Sequence, residues 1–249
     1  AGVFVRPEGG NADHGIMAEA SAPYGSGLNA GSPAPDALSH AAAPYADGES
    51  VRDRQPLRVE NVEYLGQVAD TYLVLRDRAG ALLLLDQHAA HERQLFEKLA
   101  AHYGDVPSQL LLEPLVVELS AEEKTALLSN LELLESAGLE IDDFGGNSVF
   151  LRSVPADVEQ GSAEDLLVEL ADKLSKGSRD ALSEKTEWVL HSISCRAAIK
   201  AGDKTSPQEL MALAEKILSG EVPPFCPHGR PCVLKLTRKE LEKQFGRIV

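Results

Sequence analysis

The distribution of apolar positions divides the chain near residue 56. Residues 1–55 are rich in Ala, Gly, Pro and Ser and carry no repeating apolar pattern. Such a segment buries too little apolar surface to offset the entropy lost when its chain becomes ordered. We therefore predict a disordered linker over residues 1–55 and an ordered region that begins near Pro56.

The first ordered segment has the pattern of a hairpin followed by a helix. Two apolar runs, TYLVL and ALLLL, flank a polar turn that ends at Gly80, which is typical of two antiparallel strands. Over residues 87–101 the apolar spacing becomes helical, with Leu95, Phe96 and Leu99 on one face.

Capping residues and glycines mark further helices. Ser120 and Glu123 form a capping box that opens a leucine-rich helix, which Gly138 ends. Ser162 is the predicted N-cap of a helix that ends near Gly177. Other helices are predicted over residues 183–201, over residues 206–220 and after the capping sequence TRKE at 237–240.

The remaining apolar runs predict strands. LEIDDF and SVFLRSV flank the turn GGN and indicate a second hairpin, and CVLKL near the C-terminus indicates a short strand. Strands and helices alternate irregularly, without the regular spacing of βαβ units, so the predicted fold class is α+β.

Composition and charge narrow the classes of function. The chain has 249 residues, of which 43% are hydrophobic, enough for one or two domains. The net charge of −15 argues against a basic nucleic-acid surface over the whole molecule. Residues 226–249, however, carry six Lys/Arg against two Glu, a local charge of +4.

Other features of the sequence indicate a cytoplasmic protein. No apolar run reaches the roughly 20 residues of a membrane span, and the first residues do not resemble a secretory signal. Three cysteines, an odd number, favour metal-binding or buried thiols in a reducing compartment. We expect no membrane association.

The segment DQHAAHERQLFE carries the first candidate chemistry. His88 and Glu92 are four residues apart and share one helical face, so they could hold a divalent ion beside Asp86. Glu97 lies nine residues after His88 and points to another side. The alternative is an N-capping Asp86 followed by a solvated His–Glu face.

The segment PPFCPHGRPC carries the second group of candidate metal ligands. Cys226 and His228 leave an extended chain on the same side, Gly229 permits close backbone approach, and Arg230 could bind a phosphate or carboxylate. The pair is half of a zinc site; the alternative is a buried thiol beside a structural histidine. Cys195, in the segment SISCR, could be another ligand or a small core residue.

The combined donors mix thiolates, imidazoles and carboxylates. Such a set suits zinc through the thiolates and leaves room for a carboxylate-bound manganese or magnesium ion.

Four motifs occur in order: D-Q-H-A-x2-E-x4-E, SCR, CPHGRP and FGR. With them the chain resembles, over about residues 56–249, the C-terminal domain of the endonuclease-type MutL mismatch-repair proteins. Two departures are Ser194, where the family pattern has Ala, and His91, at a free position where we expect a solvated side chain.

The resemblance implies roles for individual residues. It implies a nuclease motif of Asp86, His88, Glu92 and Glu97. It implies that the metal ligands are Asp86, His88, Glu92, Cys195, Cys226 and His228. The implied catalytic or supporting residues are Arg230, Arg196, Phe245 and Arg247. We expect a manganese- or magnesium-type ion at Asp86 and Glu92, and a zinc-type ion at His88 and the Cys and His donors.

The resemblance also implies a discontinuous fold. Residues 56–100 and 190–249 would form a dimerisation subdomain with the metal site, and residues 101–189 an inserted outer regulatory subdomain. Gln109, Leu112 and Pro114 fit the pattern Q-x-x-[L/I]-x-P, similar to the sliding-clamp-binding peptide of this family. The alternative for this segment is a strand that enters a proline-bounded turn.

The function implied is metal-dependent nicking of DNA by a homodimer. Binding to double-stranded DNA is expected to be weak without the clamp or an N-terminal ATPase module, and a MutS-type mismatch-recognition protein would act through the full-length protein. The expected location is the bacterial cytosol, associated with the nucleoid. The alternative is a non-catalytic dimerisation and partner-binding module with a structural zinc. A zinc peptidase is excluded because the chain has no H-E-x-x-H.

Overall fold

The computed structural model describes residues 58–59, 61–177, 179–200 and 203–248. Within them the chain forms seven α-helices and seven strands, and the predicted α+β class is confirmed. The predicted linker over residues 1–55 lies outside the described residues. No described helix combines the length and the apolar character needed to cross a membrane.

The first sheet has four antiparallel strands in the order β1-β2-β3-β7. Their bounds are β1 (Glu63–Val68), β2 (Tyr72–Arg76), β3 (Leu82–Asp86) and β7 (Val233–Leu236). Although β7 is remote in sequence, it pairs with β3, and the Asp86 amide donates to the Cys232 carbonyl at 2.9 Å. This pairing brings the proline-rich loop before β7 to the start of the helix after β3.

One face of this sheet forms the first hydrophobic core. Leu73, Leu75, Leu83 and Leu85 are fully buried, because successive side chains of a strand point to opposite faces. They share a core with the apolar side of helix α6. The two helices associated with this sheet are α1 (Gln87–Ala101) and α6 (Pro207–Leu218).

The other face of the sheet is also apolar, and we call it the outer sheet face. Val74, Leu84 and Leu234 lie side by side on adjacent strands, and Tyr72 and Val68 form a neighbouring pair on the same face. Leu234 is 47% and Val68 54% exposed. An antiparallel sheet whose second face meets water normally carries polar residues there.

The second sheet has three antiparallel strands in the order β4-β6-β5. The bounds are β4 (Ser108–Glu118), β5 (Glu140–Gly145) and β6 (Ser148–Pro155). The remaining helices are α2 (Ala121–Leu128), α3 (Leu131–Ser136), α4 (Ala163–Lys176), α5 (Leu182–Ala197) and α7 (Arg238–Gln244). A second core, which includes Leu127, Leu151 and Leu170, fills the space between this sheet and its helices.

Helix α5 positions part of the candidate site. Val189, Leu190 and Ile193 are buried in the second core, and the same helix packs against α1. The residues of α5 that face α1 are therefore held next to the first sheet.

The prediction of one continuous helix between Ser120 and Gly138 is wrong. It is divided into α2 and α3 because Ser129 Oγ donates to the Thr125 carbonyl at 2.7 Å and Asn130 Nδ2 donates to the Ala126 carbonyl at 2.6 Å. Such side-chain bonds compete with the helical backbone pattern.

Three smaller expectations also need correction. Ser162 precedes α4 but makes no capping hydrogen bond with its side chain. Helix α5 ends at Ala197 because Ala198 has an extended backbone. The segment at residues 108–118 is one long strand, β4, with a bulge between Leu110 and Leu115. The subdomain boundaries near residues 100 and 190 stay a prediction.

Candidate metal centre

Helix α1 begins directly after β3 because Asp86 caps it. Asp86 has an extended backbone, and its Oδ1 accepts a hydrogen bond from the Ala89 amide at 3.0 Å. This part of the simpler interpretation is confirmed. The other part is wrong for Glu92, whose side chain is 1% exposed and faces the interior.

The proline-rich loop folds back on itself to present its donors. The Cys226 amide donates to the Arg230 carbonyl and the Gly229 amide to the Cys226 carbonyl, both at 2.8 Å. Gly229 has a φ of +81°, a conformation that favours glycine. The turn holds Cys226 fully buried, whereas the His228 side chain is 44% exposed.

Glu92, Cys226 and His228 meet although α1 and the loop are remote in sequence. Their ligand atoms all lie within 4.8 Å of one another. His228 Nδ1 is 3.4 Å from Glu92 Oε1 and 4.0 Å from Cys226 Sγ. One carboxylate, one thiol and one imidazole form a donor set that fits zinc, so these residues suit the metal that the resemblance implies.

His191 belongs to the same cluster, and the sequence analysis did not include it. Its Nε2 is 3.1 Å from Glu92 Oε1 and 3.1 Å from His228 Nδ1. The signal available in the sequence was its position on α5, four residues before Cys195, which puts both side chains on one helical face.

The electrostatics of the cluster favour an ionised carboxylate. Burial alone would raise the pKa of Glu92, but the hydrogen bond with His191 and the neighbouring His228 and His88 outweigh it and lower the pKa below its ordinary value. Burial lowers the pKa of His228, and His191 lowers it further against the opposing effect of Glu92. Both effects favour a carboxylate beside a neutral imidazole, the protonation states that bind a metal.

His88 and Cys195 lie near this cluster but outside the close group of Glu92, Cys226 and His228. His88 Nδ1 is 2.8 Å from the Ile199 carbonyl; donation there leaves Nε2 free as an acceptor. Cys195 is exposed, and its pKa is raised by partial burial and then by the Glu92 and Glu169 carboxylates.

On α1, His91 differs from the expectation for it, whereas Glu97 agrees with its prediction. His91 is not simply solvated, because its Nδ1 accepts a hydrogen bond from the Ile199 amide at 3.0 Å. Glu97 forms an ion pair with Arg93, consistent with its predicted position on another side of the helix.

The candidate supporting residues are dispersed. Arg230 is exposed, and its charge contributes to the lowered pKa of His228. Arg196 turns toward α4, where its guanidinium is 2.9 Å from Glu169. Phe245 is 77% exposed and Arg247 is also exposed; among the described residues neither side chain forms a hydrogen bond or ion pair with the cluster.

The candidate clamp-binding segment lies on β4, an edge strand of the second sheet. Gln109 Nε2 donates to the Val158 carbonyl at 2.6 Å. The bulge that follows turns Leu112 outward, 92% exposed, and Pro114 is also exposed. The apolar part of the segment is thus accessible, whereas Gln109 is bound to its own fold.

Comparison with known proteins identifies the family. A family described as "MutL C terminal dimerisation domain" matches residues 65–205. DNA mismatch repair protein MutL of Caldanaerobacter subterraneus is 37% identical over 207 residues, 83% of this chain and 35% of the relative. MutL of Pelotomaculum thermopropionicum is 33% identical over 256 aligned residues, which are 99% of this chain and 41% of the relative. MutL of Acidiphilium cryptum is 40% identical over 186 residues, which are 74% of this chain and 32% of the relative.

The chain therefore spans about a third to two fifths of the length of these relatives. The family match covers more than half of the chain and includes α1 and most of the first sheet. This chain belongs to the MutL family of DNA mismatch repair proteins and carries the family's C-terminal dimerisation domain.

Proposed function

We propose that this chain is the metal-dependent DNA-nicking domain of a MutL mismatch-repair protein. The observation that carries the proposal is the meeting of Glu92 on α1 with Cys226 and His228 of the proline-rich loop. A buried carboxylate beside a thiol is costly unless it is paired or binds a cation. A domain that only dimerises has no evident need for such a cluster.

Glu92, Cys226 and His228 would hold one divalent ion, with Asp86 and His88 available to a second. A bound ion supplies charge stabilisation at the scissile phosphate and a water of lowered pKa. Because Glu92 shares the cluster with the donors that we assigned to zinc, it would serve the zinc-type ion or bridge two ions. The distance of 3.4 Å between Glu92 Oε1 and His228 Nδ1 supports this choice over one that gives Glu92 to manganese alone.

The protein groups around the cluster would position the substrate. The Ile199 carbonyl fixes the ring of His88 with Nε2 free, and Asp86 retains one carboxylate oxygen beyond its capping bond. The exposed guanidinium of Arg230 lies close enough to His228 to affect its pKa. It could therefore bind a DNA phosphate at the mouth of the site.

Dimerisation through the outer sheet face is part of the proposal. The face is apolar on adjacent strands and partly exposed, which is typical of an interaction surface. A second copy of the chain would cover Tyr72, Leu84 and Leu234. The word "dimerisation" in the family's description supports this use.

Docking to a sliding clamp is proposed for the segment from Gln109 to Pro114. Leu112 is accessible for an apolar pocket. Gln109 would have to release the Val158 carbonyl, so docking by this segment includes a local rearrangement of β4. An edge strand can open in this way because it is paired on one side only.

The remaining partners follow from the name of the relatives, DNA mismatch repair protein MutL. We propose that the complete protein acts on double-stranded DNA in the bacterial cytoplasm together with a MutS-type mismatch-recognition protein. The net charge of −15 predicts that this chain alone binds DNA weakly.

The second candidate is a non-catalytic dimerisation module with a structural zinc. The closeness of the thiol and imidazole donors favours a bound zinc in either case. The two candidates differ in whether Asp86 and His88 take part in hydrolysis.

Nicking of a supercoiled plasmid in the presence of Mn²⁺ separates the two functions. We expect slow conversion to open circles by the wild-type chain, and at least about 100-fold slower conversion by Asp86→Asn and Glu92→Gln. Asn is a good N-cap, so the first change should leave α1 intact. Glu164→Gln, on the exposed side of α4, is the control. Zinc binding without nicking by the wild type, or unchanged nicking by Asp86→Asn, would favour the structural alternative.

A further inference from the structure

His191 has no role in the motifs of the sequence, yet it makes the shortest contacts in the cluster. Its Nε2 is 3.1 Å from Glu92 Oε1 and 3.1 Å from His228 Nδ1. Among the described residues, His191 and His228 are the basic side chains with a nitrogen within 4 Å of a Glu92 carboxylate oxygen. A ring nitrogen of His191 therefore faces the same small volume as the two other donors.

The separations between these atoms match those around one small cation. Glu92 Oε1, His228 Nδ1 and His191 Nε2 form a triangle with sides of 3.1, 3.1 and 3.4 Å. Zinc bonds of about 2.0–2.1 Å in a tetrahedron place nitrogen and oxygen ligands about 3.4 Å apart. The His191 and His228 rings meet at 67° with centroids 3.9 Å apart, so the two imidazoles approach from different directions.

The charges of the cluster balance those of a divalent ion. Glu92 and Cys226 are both essentially buried, and each contributes one negative charge when it binds a metal. Two neutral imidazoles add none. A divalent cation with these four donors is electrically neutral overall, which removes most of the cost of burying the two anions.

The helix also supplies a reason why His191, rather than Cys195, completes the group. Both lie on the face of α5 that turns toward α1, but Cys195 is exposed one helical turn farther along. Neither residue is a member of the group of Glu92, Cys226 and His228 whose ligand atoms all lie within 4.8 Å of one another. The imidazole reaches the Glu92 carboxylate directly.

We propose that His191 Nε2 is a direct fourth ligand of the ion held by Glu92, Cys226 and His228. Four protein donors then enclose this ion as in structural zinc sites. The position open to DNA and water belongs to a second ion at Asp86 and His88. This inference rests on the metal binding in the proposed function and assigns to that site a residue that lies outside the MutL motifs.

Two measurements on the full chain test the assignment without using nicking. The first is Zn²⁺ affinity by competition with a chromophoric chelator, for wild type, His191→Ala and His191→Gln. The second is the number of hyperfine-shifted imidazole N–H signals in the NMR spectrum of the Co²⁺-loaded protein. His102→Ala is the matched control, because His102 is exposed and bonds the Lys98 carbonyl of its own helix.

We expect both His191 variants to lose more than about 100-fold in Zn²⁺ affinity, beyond the 10–100-fold that loss of an outer hydrogen-bond partner costs. The Co²⁺-loaded variants should show one shifted ring N–H fewer than wild type, and His102→Ala should match wild type in both measurements. In His191→Gln the new side chain keeps a hydrogen bond to Glu92 and most of the volume of the imidazole. A loss of Zn²⁺ affinity in this variant therefore reports lost ligation and not lost packing.

The results that would contradict the role of His191 differ from those that would contradict the metal centre. Wild-type Zn²⁺ affinity in His191→Gln, or a weakened affinity with an unchanged number of shifted signals, would overturn the assignment and leave His191 as a positioning residue. The proposed nicking function would then stand. Absence of Zn²⁺ and Co²⁺ binding by wild type would overturn the metal centre itself, and with it both proposals.

Discussion

At the scale of residues, the burial of charged side chains determines the properties of this domain. Glu92 is 1% exposed, and its partners are His191 and His228. These histidines favour the ionised carboxylate in the metal-free chain, and their ring nitrogens can also bind a cation. Asp77, in the turn between β2 and β3, is a second buried carboxylate. It accepts hydrogen bonds from the Ala81 amide at 2.8 Å and from Lys235 on β7 at 2.9 Å.

The Asp77–Lys235 pair predicts a pH-dependent contribution to stability. The hydrogen bond from Lys235, followed by that from Ala81, lowers the pKa of Asp77 below its ordinary value of 3.8. A carboxyl group whose pKa is lower in the folded state stabilises the fold above its unfolded pKa and loses this effect as the pH falls through its folded pKa. Asp77→Asn should therefore lower the midpoint of urea unfolding at neutral pH, and the difference from wild type should shrink below about pH 4.

Urea unfolding at several pH values measures this difference. Asp105→Asn is the control, since Asp105 is exposed and its side chain has no partner among the described residues. A difference between wild type and Asp77→Asn that stays constant from neutral to acid pH would contradict the assignment to this ion pair.

At the scale of elements, two connections contain glycines with a positive φ, a backbone conformation that other residues rarely adopt. Gly138 follows the C-terminal end of helix α3 and has a φ of +90°, and the next amide, that of Leu139, donates to the Leu134 carbonyl at 2.9 Å. A Cβ added at Gly138 would lie 3.1 Å from Val106 Cγ1. The turn between β5 and β6 contains Gly146, also with positive φ (+54°), but a Cβ there would meet nothing within 4 Å.

These two glycines form a matched pair for mutation. Both Gly138→Ala and Gly146→Ala should lower the free energy of unfolding by about 1–2 kcal/mol from backbone strain. Gly138→Ala should cost more than Gly146→Ala, because the new methyl group also presses on Val106. Urea denaturation of both variants provides the comparison, and equal losses would argue that Val106 moves aside without cost.

At the scale of the whole molecule, the outer sheet face is the surface through which we propose that copies of the chain associate. An apolar row crosses three paired strands at Val74, Leu84 and Leu234. The first core lies on the opposite face, so a charged side chain on the outer face should weaken association without disturbing the core.

Leu84→Lys should shift the chain from dimer to monomer while its helix content and unfolding midpoint at low concentration stay near those of wild type. Sedimentation over a range of protein concentrations measures this change. Val168→Lys is the control, because Val168 is an apolar residue on α4, 40% exposed and away from this face. A Leu84→Lys protein that dimerises as well as wild type would place the interface elsewhere.

Much of the local structure could be predicted because it depends on short-range patterns. The two apolar runs around the turn that ends at Gly80 predicted the hairpin of β2 and β3, and the capping boxes at Ser120, Ser206 and Thr237 are present. The spacing of His88 and Glu92 predicted a common helix. The break between α2 and α3 was missed because Ser129 and Asn130 bond the backbone through their side chains, which an apolar pattern does not reveal.

The sequence by itself determined the class of fold and the family, and it supplied the candidate donors other than His191. Only the tertiary structure decided which donors meet: the contact of His191 with Glu92 joins residues 99 positions apart, through the packing of α5 on α1. It likewise decided that Glu92 is buried and that Cys195 is left exposed. Periodicity reports which face of an element a residue occupies, whereas packing of remote elements determines what that face contacts.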